Sequence, residues 1–171
     1  MHAAIATQAG SQDTPNEDWA GVLAPGLAVV LDGLSAPNGT GTGCRHGTPW
    51  FVNKLGPRLL ALACEPSRSL ADALAEAIRQ VADLHPGCDL THPGTPSATV
   101  VLLRALEERA DYLALADATL LLDTTLLDEN GPDELLRQVR AAEAVDPESR
   151  QWPRTKRSDD ATAVYLVVSD G

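Results

Sequence analysis

The residues with the clearest chemical capacity are carboxylates set where apolar runs begin or stop. Asp32 follows "LAVVL" and precedes Gly33. Asp159 and Asp160 open "ATAVYLVV", Glu17 and Asp18 precede "WAGVL", and Asp117 separates "YLALA" from "ATLLL". Each taken alone reads equally well as a solvated turn. If the strand ends meet, Asp32, Asp160, Asp117, Glu17 and Asp18 crowd one edge. Clustered acids raise one another's pKa unless a cation lies between them. A set of hard oxygen donors without histidine suits magnesium or manganese better than zinc. A pair of such ions can activate a water and clamp a phosphoryl group for in-line attack.

Two other groupings have chemical potential. "HPGCDLTHP" brings His85, Cys88 and His92 together at a spacing compatible with zinc, although its prolines and glycine also describe a plain loop. "GCRHG" sets Cys44 beside Arg45 and His46, where a cysteine nucleophile and an inert thiol are both readings. The basic residues Arg150, Arg154, Lys156 and Arg157 form a loop suited either to drawing phosphate or simply to solvation.

These residues need elements to hold them. "HAAIATQ", "WAGVLA" and Leu27–Leu31 read as strands, the last introduced by Pro25-Gly26 and stopped at Asp32-Gly33. "WFVNKLGPRLLALAC" has helical spacing, with a kink expected at Pro57. "SLADALAEAIRQVADLH" predicts a second helix burying Leu70, Leu74, Ala77, Ile78, Val81 and Leu84, with Ser69 and Asp72 as a capping pair. "SATVVLLRAL", "ADYLALAD" and "ATLLLDT" read as neighbouring strands, the last two joined at Asp117-Ala118. "PDELLRQVRAAEAVDP" predicts a third helix with Pro132 in its first turn, before a final strand. Seven strands in runs, with three helices between them, predict antiparallel sheets faced by helices in an α+β sandwich.

The 171 residues suit a single domain spanning 1–171. With 44% hydrophobic but only 4% aromatic residues, the core must be built from Leu, Val and Ala. A formal charge of −11 repels phosphate backbones and argues against nucleic acid as a partner. Three cysteines fit a reducing compartment better than a disulfide scaffold. No basic-then-apolar leader and no membrane-length apolar run stands out, so a cytoplasmic chain without membrane contact is expected.

"PNEDW", "AVVLDGLS", "GTPSATVVLL", "LALADATLLL" and "SDDATAVYLV" occur in the order found in the type 2C metal-dependent protein phosphatases. The chain resembles that family over nearly its whole length, especially its actinobacterial branch, through "DGLSAPNGTGTGCRHGTPWFV" and "GPDELLRQVRAAEAVDP". The resemblance implies a four-layer α/β/β/α sandwich, reduced in size, with a two-metal Mg or Mn centre between its sheets. By that likeness Asp32 would bridge both ions and the Gly33 carbonyl would help hold one. Glu17 would act through water, Asp160 would ligate directly, and Asp117 would match a looser site. The implied substrate is a phosphoserine or phosphothreonine protein, or a small phosphate ester.

The pattern also departs from that family. Asp13 stands where the family has a phosphate-gripping arginine, four residues before Glu17. Leu34 stands where it has a histidine, with His46 a substitute only if its loop folds back. A family segment carrying a further aspartate is absent near Thr124-Thr125, where the intact flanks favour residues missing from the chain over a true deletion. Asp170 of the terminal "SDG" is no replacement: along one extended strand it lies roughly 33 Å from Asp160. Two readings stay open, a metal-dependent phosphatase and an impaired pseudophosphatase that binds protein.

Overall fold

The computed structural model describes residues 2–23, 26–36, 41–107, 109–120, 125–148, 150 and 158–167, with the backbone alone over 125–130. In chain order the elements are β1 (His2–Gln8), β2 (Trp19–Leu23), β3 (Leu27–Leu34), α1 (Thr48–Ala63), α2 (Leu70–Ala82), β4 (Ser97–Ala105), β5 (Ala110–Leu115), α3 (Thr125–Val145) and β6 (Ala161–Val167). β1 pairs with β6 in one antiparallel sheet, and the order β2-β3-β4-β5 forms a second. α1 and α2 cover the outer face of the larger sheet, α3 lies on β1 and β6, and the two sheets meet through β3 and β6. The layers are therefore α/β/β/α.

Alternation along β3 explains this arrangement. Leu27, Val29, Leu31 and Gly33 are buried, and the first three join the core formed with α1, α2 and β4. Strand side chains point alternately to opposite faces. Ala28, Val30 and Asp32 therefore fall on the face turned toward the smaller sheet. α1 and α2 add Val52, Leu55, Leu59, Ala63, Leu70, Ala73, Leu74, Ala77 and Val81 to the core. Gly56 lets the Trp19 ring lie on α1, since a Cβ there would come within 2.2 Å of Trp19 Cε3.

Several expectations need correction. β3 does not stop at Asp32-Gly33 but runs to Leu34, because Asp32, Gly33 and Leu34 still pair with Thr99, Ala98 and Ser97. Pro57 lies inside α1, which runs as one helix on both sides of it. In α2 the buried stripe includes Ala73, Ile78 faces solvent, and Leu84 lies exposed beyond the helix end. The Ser69 cap forms as expected, with Asp72 N donating to Ser69 Oγ at 3.0 Å. The predicted strand from Ala118 is not one over residues 118–120, and residues 121–124 lie outside the described set. The break before the third helix is at Gly131, whose φ of 72° interrupts α3 so that helix restarts at Pro132.

Arg104 ties the two ends of this layer together. It is 5% exposed, and its guanidinium donates to the carbonyls of Ala63, Glu65 and Arg68 and to Asp111 Oδ2 at 2.7 Å. One side chain thus terminates α1, holds the α1–α2 turn and bridges β4 to β5. The bond from Arg104 also holds the Asp111 carboxyl below its ordinary pKa. Among the described residues no helix is long and apolar enough to cross a membrane.

Candidate metal centre

The register of the larger sheet sets the acids in a row. Trp19 pairs with Leu31, so the next position outward places Asp18 beside Asp32. On its other side Asp32 pairs with Thr99. Directly opposed like charges destabilise a sheet, yet here two aspartates adjoin on the face between the sheets. Asp18 is 8% exposed. Its Oδ2 accepts from Thr162 Oγ1 of β6 at 2.7 Å, while its Oδ1 is buried with no hydrogen-bond partner. Thr99 Oγ1 is also buried and unpartnered. Two orphaned oxygens therefore flank Asp32 in one row, which is the kind of exception that calls for an unseen ion or water.

Asp160 reaches the same place from the smaller sheet. It immediately precedes β6, and its carboxylate accepts from Gly10 N at 2.7 Å and Glu17 N at 2.6 Å. These bonds fasten the β1–β2 loop to the start of β6 and fix both oxygens in orientation. Each oxygen keeps lone-pair capacity for a cation. Glu17 is held in turn by Ser35, whose hydroxyl donates to Glu17 Oε1 and lies 2.9 Å from Thr48 Oγ1 at the start of α1. Gly33 makes this convergence possible. A Cβ there would lie 2.3 Å from the Glu17 carbonyl oxygen and 2.5 Å from Thr48 Cγ2.

The electrostatics record the crowding. Asp18 has its pKa raised from 3.8 to about 6, chiefly by burial. The Thr162 hydroxyl opposes that rise, whereas the charges of Asp32, Asp160 and Asp159 add to it. A cation among them would add attractions that offset these repulsions. Glu17, Ser35, Asp159 and Asp160, with Gly10 and Ser11, line an open cleft of about 390 Å³. An adjoining hollow of about 480 Å³ shares Gly10, Ser11 and Ser158 with it and presents Arg140. Arg140 donates to Glu143 at 2.8 Å, to Ser158 at 2.7 Å and to the Gln8 carbonyl at 3.1 Å.

The structure thus gathers Asp32, Gly33, Glu17 and Asp160 in one region. Asp117 stands apart from that group. β5 leaves the sheet at Leu115, opposite Val100, and Ala116, with φ of 66°, turns the chain before Asp117 is reached. Asp117 is exposed at the same end of the sheet, with β4 between it and β3. Asp13 is exposed, and Leu34 faces solvent at 60% exposure. His46 does not fold back toward the acids: its ring stacks on Trp50 at 4.2 Å. The distinctive buried oxygen belongs to Asp18, whose importance the sequence signalled only by its place after Glu17. Asp170 and most of the basic loop, including Arg154, Lys156 and Arg157, lie outside the described residues, as do residues 121–124 at the predicted join.

No protein-family model matches the chain, and no curated protein matches it significantly. Among solved structures, the PPM Ser-Thr phosphatase MsPP from Mycobacterium smegmatis, in complex with cacodylate, is similar at 19% identity. That likeness covers 98% of this chain and 72% of the other, with a TM-score of 0.49. A likeness at that level fixes neither family nor activity.

Proposed function

We propose that the acidic region binds Mg or Mn and that the chain is a metal-dependent phosphatase-like hydrolase. Its substrates would be phosphoserine or phosphothreonine proteins or small phosphate esters. The observation that carries the metal assignment is the buried, unpartnered Asp18 Oδ1 beside Asp32. An unpaired buried carboxylate oxygen is costly, and a cation is the partner that four neighbouring acids would welcome. The donors are all hard oxygens, which fits Mg or Mn. Asp18, Asp32 and Asp160 would supply carboxylates, Gly33 its carbonyl, and Glu17 a carboxylate one water away.

Bound ions of this class acidify water and neutralise the charge of a phosphoryl group. The chain's own residues do the positioning. Gly10 N and Glu17 N fix Asp160, while Ser35 and Thr48 hold Glu17 against α1. Arg140, in the adjoining hollow, is paired with Glu143 and would have to exchange part of that pairing to meet a phosphate. The phosphatase reading is supported by the ordered motifs around Asp32 and Asp160, together with this acid-and-arginine arrangement.

The test is hydrolysis of p-nitrophenyl phosphate, with and without manganese, by the wild type and by Asp32→Ala. Manganese-dependent turnover that is lost in the variant supports the reading. Manganese-dependent thermal stabilisation without turnover overturns the hydrolase and leaves a metal-binding module. Absence of both overturns the metal assignment as well.

A further inference from the structure

The loop before α1 and the loop after α2 are joined directly. Asp89 N donates to the Gly43 carbonyl at 2.8 Å. Gly43 has φ of +65°, and a Cβ on it would lie 2.4 Å from Asp89 O and 2.5 Å from His92 Cβ. This close approach carries Cys44 and His46 to Cys88, which is 42 residues from His46 in sequence. Their ligand atoms all lie within 4.8 Å of one another. Cys44 Sγ is 3.6 Å and Cys88 Sγ 3.8 Å from the same atom, His46 Nδ1.

The two sulfur–nitrogen separations resemble edges of a metal tetrahedron. With zinc–sulfur bonds of about 2.3 Å and zinc–nitrogen bonds of about 2.0 Å, tetrahedral ligands stand roughly 3.5–3.8 Å apart. The surroundings also fix the donors. His46 N donates to Cys44 Sγ at 3.4 Å, which fixes the position of that sulfur. Stacking on Trp50 holds the His46 ring, and His85 meets it edge-on with centroids 5.0 Å apart. His85 is itself committed through Nδ1 to the Val81 carbonyl at 2.9 Å. His92 Nδ1 is taken by Gly94 N at 3.0 Å.

We infer that Cys44, His46 and Cys88 form a binding site for a soft divalent cation of the zinc class. It differs from the acidic centre in ligand type and takes a different metal. Two thiolates and one imidazole select zinc over Mg or Mn. Cys88 and His46 are only half-buried, so solvent can fill the fourth position. Binding ties the α2–β4 loop to the chain entering α1. That chain reaches Thr48, which contacts Ser35 and through it Glu17. A soft metal here is thus a clasp behind the acidic cleft. Loading it releases the thiol protons, two if both cysteines begin protonated.

The test titrates reduced, chelator-dialysed protein with cobalt(II) and reads the thiolate-to-cobalt charge-transfer band, then adds zinc. The expected result is one equivalent of cobalt with tetrahedral absorption, bleached by zinc but not by a large excess of manganese. Cys64→Ser, at an exposed site outside the cluster, should leave the band intact. Cys44→Ser and Cys88→Ser should each remove half or more of its intensity, and His46→Ala should weaken cobalt binding at least about tenfold. A wild type that gives no band while all its thiols titrate as free overturns the inference. So does a band that survives both single cysteine variants, or a Cys44–Cys88 disulfide in protein kept under reductant. The wild-type titration decides the matter even if a variant fails to fold.

Discussion

Replacing Asp18 by Asn tests the electrostatic logic of the acidic centre directly. The side chains have nearly the same shape, and an asparagine oxygen can still accept from Thr162. What disappears is a buried negative charge next to Asp32, Asp159 and Asp160. In the folded protein the Asp18 pKa is about 6 against an ordinary 3.8. Taking the latter for the unfolded chain, the ionised carboxylate opposes folding by at most about 3 kcal/mol. The direction follows from proton counting: between these two pKa values the folded state binds more protons than the unfolded state. Stability therefore rises as pH falls through 6 toward 3.8, and the full penalty is present above about pH 7. Between pH 7.5 and 5 the wild type should gain about 1.4 kcal/mol from this group. Urea unfolding in EDTA across that range should show the gain in the wild type and lose it in Asp18→Asn. At pH 7.5 the variant should be the more stable protein by up to about 3 kcal/mol. With manganese the order should invert, because only the wild type keeps the full ligand set. A variant less stable than wild type in EDTA at pH 7.5, with an unchanged pH slope, would refute the argument.

Three further outcomes are expected. Asp32→Ala should abolish the rise in melting temperature on adding manganese, measured by calorimetry, while the variant still folds. Gly33→Ala should destabilise by about 1–3 kcal/mol in denaturant titration, because its Cβ must displace the Glu17 carbonyl or Thr48. Arg104→Met should cost about 2–4 kcal/mol by the same measurement, since it strips three carbonyls and Asp111 of their donor.

Local signals in the sequence were enough for most of the elements. The stripe from Leu70 to Val81 and the Ser69 cap specify α2, because helix periodicity and capping act within a few residues. The same holds for Pro132, which marks where helix restarts after Gly131. The apolar run "LAVVL" after Pro25-Gly26 identified β3, but its end could not be read, because pairing of Asp32 with Thr99 depends on a strand more than sixty residues away. Asp32, Glu17 and Asp160 were visible as acids at element ends, and the α+β class followed from the order of those elements.

Tertiary structure decided what those residues do together. Burial of Asp18, its missing partner and its alignment with Asp32 arise from strand register and from the smaller sheet closing over it. The soft-metal cluster is a sharper case. Sequence neighbours suggested His85, Cys88 and His92, whereas the fold engages Nδ1 of both those histidines in backbone hydrogen bonds and delivers Cys44 and His46 to Cys88. Spacing along a chain constrains helices and turns because their bonds are local. Ligand sets are chosen by loop approach, here made possible by the bare backbone of Gly43 against Asp89, a contact between residues far apart in sequence.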